Sequence, residues 1–166
     1  MASFQHQRHK DPTPLAMPRP LVLACPQLRS NVNLSRIVRA ASCSGVPRLI
    51  TCGTARIDPT ISRHGEDQLS VEIRRSLPPV LKKLRAEGYT LVGLEQTTGS
   101  HNLADFEFPR RTVLVIGHER NGIEEAILTL LDATVEIPVY GLPYSYNVAT
   151  ATAMALYEYC RQYPAG

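Results

Sequence analysis

The chain has 166 residues, 43% hydrophobic and 20% charged, the size and balance of one globular domain with its own core. No apolar run is long enough to span a bilayer, and the first twenty residues lack the apolar centre of a secretory signal. The formal charge of +3 is compatible with an RNA partner but demands none, because such binding depends on clustered charge.

Residues 1–20 hold Arg8, Lys10, Pro12, Pro14, Pro18 and Pro20 and read as a flexible basic tail, with residues 21–166 as the domain. Leu21-Val22-Leu23-Ala24 is a continuous apolar run of the kind found in buried parallel strands. Asn31 to Ser44 reads as a helix capped by Asn31 or Asn33, with Ile37, Val38, Ala40 and Ala41 facing inward and Gly45 ending it. Leu49 to Cys52 is a second strand. Asp58-Pro59 opens a short helix, and Val71 and Ile73 alternate with Glu72 and Arg74 as in a half-exposed strand.

Pro78-Pro79 opens the next helix, closed by Gly88, and Thr90 to Leu94 forms a strand. Thr98 to Phe108 reads as a polar loop. Val113-Leu114-Val115-Ile116 is a buried strand, and Gly117 to Gly122 turns the chain into a helix carrying Ile123, Ile127, Leu128 and Leu131. Thr134 to Ile137 is the last strand, and a final helix covers about Asn147 to Tyr163. The alternation predicts an α/β fold, a parallel sheet with helices on both faces. Cys25, Cys43, Cys52 and Cys160 form no CxxC pair and share no histidine at metal spacing, so buried free thiols in a reducing cytosol, and no metal, are expected.

In such sheets ligands sit beyond the carboxyl ends of the strands, which directs attention to three turns. Gly117-His118-Glu119-Arg120-Asn121-Gly122 has the glycines of a phosphate loop, but Ile123 stands where that loop needs lysine, and no GxGxxG occurs. A nucleotide-phosphate site is therefore disfavoured. Ile137 to Asn147 carries Pro138, Gly141 and Pro143, a stiff turn whose main-chain groups can grip a base edge. Ser145 and Asn147 sit at the entry to the last helix, where both types are also common caps. The third segment runs from Asn33 to Arg39, and residue type alone makes Arg39 a solvated helix arginine.

Together these segments resemble the three motifs of the SpoU/TrmH branch of the SPOUT methyltransferases. Asn33, Ser35 and Arg39 match the first; Gly117, Glu119, Gly122 and Ile123 the second; Ile137-Pro138 and Ser145-Tyr146-Asn147-Val148 the third. The likeness runs over about residues 20 to 163. Gly88 to Thr97 and Cys160-Arg161-Gln162 are similar to the catalytic domain of TAR-RNA-binding-protein-like enzymes, which methylate a guanosine ribose in the tRNA D-loop. Tyr146 and Ala149 depart from the usual leucine and serine.

The resemblance implies a trefoil knot in the last third of the chain and a homodimer whose active site draws on both subunits. It implies S-adenosyl-L-methionine as cofactor, held by Leu94, Glu95, Gly117, Ile137, Ser145 and Tyr146. It implies in-line methyl transfer to a ribose 2′-hydroxyl beside Arg39, with Asn33, Ser145 and Asn147 holding Arg39 and the ribose and Glu119 anchoring its loop. An arginine keeps its proton, so it would stabilise the developing alkoxide or pass the proton through a phosphate or water. Arg36, Arg39, Arg56, Arg63 and His64 are the cations expected to meet RNA phosphate, with tRNA the expected substrate and the cytoplasm the expected location. The alternatives are a wobble or ribosomal RNA ribose, or a catalytically silent RNA-binding dimer. The alanines of the last helix (149, 151, 153 and 155) would independently let a second helix approach closely.

Overall fold

A computed structural model describes residues 3–166. Seven strands form a single parallel sheet: β1 (Leu21–Ala24), β2 (Arg48–Cys52), β3 (Ser70–Arg74), β4 (Thr90–Leu94), β5 (His101–Asn102), β6 (Thr112–Ile116) and β7 (Ala133–Glu136). Their order is β3-β2-β1-β6-β4-β7-β5, and every pairing is parallel. The helices are α1 (Asn31–Cys43), α2 (Pro59–Ser62), α3 (Leu77–Ala86), α4 (Glu125–Leu128) and α5 (Val148–Gln162), with a 3-10 turn at Gly65–Asp67.

The two-residue period of a strand sorts the core into two layers. Leu21 and Leu23 of β1 and Leu114 and Ile116 of β6 point to one face, where α1 brings Ile37 and Val38 and α5 brings Leu156 and Tyr159. Val22, Ala24, Val113 and Val115 point to the other, against Leu81 and Leu84 of α3 and Ile127 of α4. Helices cover both faces, as the alternating elements predict, and the short apolar runs are strands buried on two sides. No helix among the described residues is long and apolar enough to cross a membrane.

Four local expectations are corrected. Ser30, not Asn31 or Asn33, caps α1, its hydroxyl accepting from the Asn33 N–H at 3.2 Å, because the Asn33 side chain is engaged elsewhere. The helix after Gly122 shrinks to the four residues of α4, since Gly122 folds back on His118 and the Ile123 N–H is taken by Glu95. The polar loop from Thr98 contains the short edge strand β5. Cys25 and Cys52 are buried but Cys43 is exposed on the last turn of α1. Burial pushes the Cys25 thiol up to about 12.

Residues 3–14 are exposed, and packing against the domain starts at Leu15, inside the expected tail. The Ala16 N–H donates to the Ala165 carbonyl at 2.9 Å. Arg19, only 5% exposed, donates to the carbonyls of Ser44 at the end of α1 (2.8 Å) and of Tyr163 at the end of α5. One guanidinium therefore ties the ends of the two helices on the same face, supplying donors that both carbonyls lack within their helices. Arg19→Met keeps a long apolar stem and removes both donors; unfolding in urea should show a loss of about 2 kcal/mol. A change near zero would mean that water replaces the guanidinium at both carbonyls.

Candidate functional site

The strand order places β1, β6, β4 and β7 side by side, so the turns that follow them meet at one edge of the sheet. Glu119, in the turn after β6, is where they join. Its Oε1 accepts from the Ser30 N–H at 2.9 Å and from Asn33 Nδ2 at 3.2 Å, and its Oε2 from the Arg29 N–H at 2.9 Å. Asn33 Oδ1 in turn accepts from Asn147 Nδ2 at 3.2 Å. Asn147 Oδ1 caps α5 by accepting from the Ala149 N–H at 2.9 Å. One chain of hydrogen bonds thus links the three segments singled out in the sequence, and Asn33 within it is buried.

Beside this relay lies a cleft of about 210 Å³. Leu94, Glu95, Gly117, Ile137, Ser145 and Tyr146, the expected cofactor residues, all line it, and so does Glu119. The floor is apolar, from Leu94, Ile116, Ile137, Val139 and Val148, while Gln96, Arg120 and Glu136 are polar lining residues that sequence reasoning missed. Gly117 is required by close approach: a Cβ there would lie 2.5 Å from the Gly122 carbonyl carbon. His118 and Gly122 exchange backbone hydrogen bonds of 2.9 and 3.0 Å, closing the turn into a small loop that presents its backbone to the cleft. Apolar side chains beside exposed main chain and polar residues such as Gln96 and Ser145 suit a nucleoside, and the lining fits S-adenosyl-L-methionine. Among the described residues no three His, Cys, Asp or Glu side chains are grouped to hold a metal.

The expected catalytic residues divide. Asn33, Glu119 and Asn147 are brought together; Ser145 is exposed at the rim of the cleft, and Tyr146 is 42% exposed beside it. Arg39 is exposed on α1, outside the cleft lining, and Arg36, Arg56, Arg63 and His64 are exposed as well. Arg63 and His64 both adopt left-handed backbone conformations, φ 56° and 59°, and Gly65 after them fits flush against α1, a Cβ there reaching 3.4 Å from Arg39 Cα. Ser35, fully buried, holds this segment from the helix side: its hydroxyl accepts from the Asp58 N–H at 2.8 Å.

Burial works against ionisation of Glu119, but the N–H groups of Arg29 and Ser30 and the Asn33 amide outweigh it and hold the carboxyl below its ordinary range. A depressed pKa means stability that is complete above about pH 4.3 and is lost as pH falls through the folded-state value. Glu119→Gln should therefore be less stable than the parent chain at neutral pH, with the gap narrowing at an acidic pH below about 4.3. Denaturation curves at the two pH values measure it; a gap independent of pH would place the source outside the carboxylate.

Comparison with known proteins agrees with this geometry. The SpoU rRNA Methylase family matches residues 20–157. The mouse tRNA (guanosine(18)-2′-O)-methyltransferase TARBP1 is 35% identical over 148 residues, 86% of this chain but only 9% of the mouse protein. The enzyme of the same name from Aquifex aeolicus is 28% identical over 86% of this chain and 69% of its own length. The crystal structure of the A. aeolicus TrmH/SpoU tRNA modifying enzyme superposes with a TM-score of 0.83 at 27% identity, covering 88% of this chain and 76% of that one. AviRb from Streptomyces viridochromogenes, solved in complex with AdoMet, gives a TM-score of 0.79 at 31% identity over 91% of this chain and 63% of that one. With the family matched along most of its length and the motif residues joined at one edge of the sheet, the chain belongs to the SpoU rRNA methylase family.

Proposed function

We propose that this chain transfers the methyl group of S-adenosyl-L-methionine to a ribose 2′-hydroxyl of RNA, most closely a guanosine ribose in the D-loop of tRNA. The observation that carries the reading is the Glu119–Asn33–Asn147 relay at the mouth of a nucleoside-sized cleft. The mouse and A. aeolicus relatives, both tRNA (guanosine(18)-2′-O)-methyltransferases by name, support that target. The cofactor, when bound, supplies a methyl group already activated on sulfur, so the chain's own work is orientation and proton management. Leu94, Ile137 and Val139 hold the base, and the Gly117–Gly122 turn offers backbone groups to the rest of the molecule. Ser145 at the rim meets the ribose, while Asn33 and Asn147 fix the rim itself. Arg39 stabilises charge developing on the 2′-oxygen, and the hydroxyl proton leaves through an RNA phosphate or water as the carbon–sulfur bond breaks.

The reading takes the chain as a cytoplasmic homodimer with its last third knotted. Supporting the knot, the segment between β4 and β6 lies against the end of α5: Gln162 Nε2 donates to the Phe106 carbonyl at 2.7 Å, and the Tyr159 hydroxyl to the Arg110 carbonyl at 2.6 Å. Supporting the dimer, α5 exposes Met154 and Tyr157, the latter by 71%, along an apolar groove with Leu103, Pro138 and Ala153. Arg39 lies outside the cleft lining of its own chain, which supports a reading in which it serves the cleft of a second subunit. The wobble ribose is a second reading with one observation behind it. A structure titled for 2-OH methylation of C/U34 on tRNA has 97% of its length covered by this chain, at a TM-score of 0.73 and 26% identity.

The test is methyl-labelled S-adenosyl-L-methionine with unmodified tRNA transcripts, comparing the parent chain with Arg39→Ala. Label should appear at one ribose and fall by a factor of about 10² or more in the variant. Mapping to the D-loop or to position 34 separates the two targets, and transfer undiminished in Arg39→Ala would remove that arginine from the mechanism. Mixed dimers of Arg39→Ala chains with Gly117→Val chains, each inactive alone, should regain activity if Arg39 serves the neighbouring cleft.

A further inference from the structure

Three carboxylates line the cleft, and they are not equivalent. Glu119 is spent on the backbone before α1 and on Asn33. Glu136 accepts from the Ser100 hydroxyl at 2.7 Å through one oxygen. Glu95, the first residue after β4, has both oxygens on its own backbone surroundings: Oε2 accepts from the Ile123 N–H at 2.9 Å and Oε1 from the Gln96 N–H at 3.0 Å.

We infer that Glu95 is a positioning residue, which shapes the cofactor cleft by pinning the Gly117–Ile123 turn and does not bind the cofactor with its own side chain. The inference rests on the reading that this cleft takes S-adenosyl-L-methionine. Ile123 is 6% exposed, and its N–H, left without Glu95, would lose the acceptor that fixes this end of the turn. Gly122 has φ +66°, and a Cβ on it would lie 2.4 Å from Glu95 Oε2. The left-handed glycine and the carboxylate are therefore matched: any side chain at 122 displaces Glu95, and without Glu95 the Ile123 end of the turn loses its tie to the residue after β4. Backbone anchoring completes the device, since the Glu95 N–H donates to the Val135 carbonyl at 2.9 Å and ties the residue to β7. The turn is thus fastened between β4, β6 and β7, and its Gly117 and His118 walls stand where the cleft needs them.

Calorimetric titration of the full chain with S-adenosyl-L-methionine, together with steady-state kinetics on tRNA, tests this. Glu95→Ala should weaken cofactor binding about tenfold, the size of one hydrogen bond to a charged group. At saturating cofactor its kcat and its KM for tRNA should stay within about twofold of the parent, because the RNA-facing rim is built by Asn33 and Asn147. Glu95→Gln, whose amide oxygen still accepts from the Ile123 N–H, should recover affinity to within about threefold. Gly122→Ala should reproduce the Glu95→Ala loss. If Glu95→Gln loses as much as Glu95→Ala, the carboxylate charge meets the cofactor directly and the inference is overturned. Unchanged affinity in Glu95→Ala overturns it as well. A parent chain that binds no S-adenosyl-L-methionine overturns the reading of the cleft, and the inference with it.

Discussion

The Glu119 carboxylate is the constraint on which the site depends. It sits in the turn after β6, yet its acceptors are used by Arg29, Ser30 and Asn33, all belonging to the entry of α1. A carboxylate can do this at little cost because three donors converge on it and its charge is favoured near a helix start. Asn33 passes the constraint on through its carbonyl oxygen to Asn147, and Asn147 passes it to α5. Every amide in the chain has a defined orientation, since each donates on one side and accepts on the other. A substitution at any member therefore disturbs three loops and two helices at once.

The cleft is organised by a different logic. Its floor is shape, made of apolar side chains at strand ends, and its walls are backbone held by carboxylates that face the protein. Such an arrangement leaves few side-chain functional groups free, which suits an already activated reactant that needs orientation more than chemistry from its host. Arg120 is in its lining, whereas the exposed Arg36, Arg39, Arg56 and Arg63 lie outside it, on α1 and on the segment docked there by Ser35 and Gly65. On the proposed function, substrate recognition and cofactor recognition occupy neighbouring but separately built regions.

Much of this was legible in the residues. The runs Leu21–Ala24 and Val113–Ile116 announce buried strands because nothing but a two-sided core accommodates them. The motif segments could be aligned with a family, but their joining by hydrogen bonds could not be read, because Asn33 and Glu119 look like ordinary helix-start residues taken singly. The cap of α1 was misjudged for the same reason: three polar residues in a row can all cap, and tertiary partners chose among them. The apolar spacing from Ile123 to Leu131 fits a helix equally well as a short helix with turns, and what decides is Glu95, just past a strand distant in sequence. A strand of two residues such as β5 carries no period at all.

The sheet order has a consequence for how the molecule forms. Leu21 pairs with Thr112, so the central β1–β6 contact closes a loop of about 90 residues, and parallel pairings of this span are slow to nucleate. The lining of the cleft comes from residues 94–151 alone, whereas Ser30 and Asn33 arrive only when β1 docks. The relay therefore depends on the β1–β6 pairing in a way that the cleft lining does not. In this topology the motif residues are joined by the same contact that joins the two halves of the sheet.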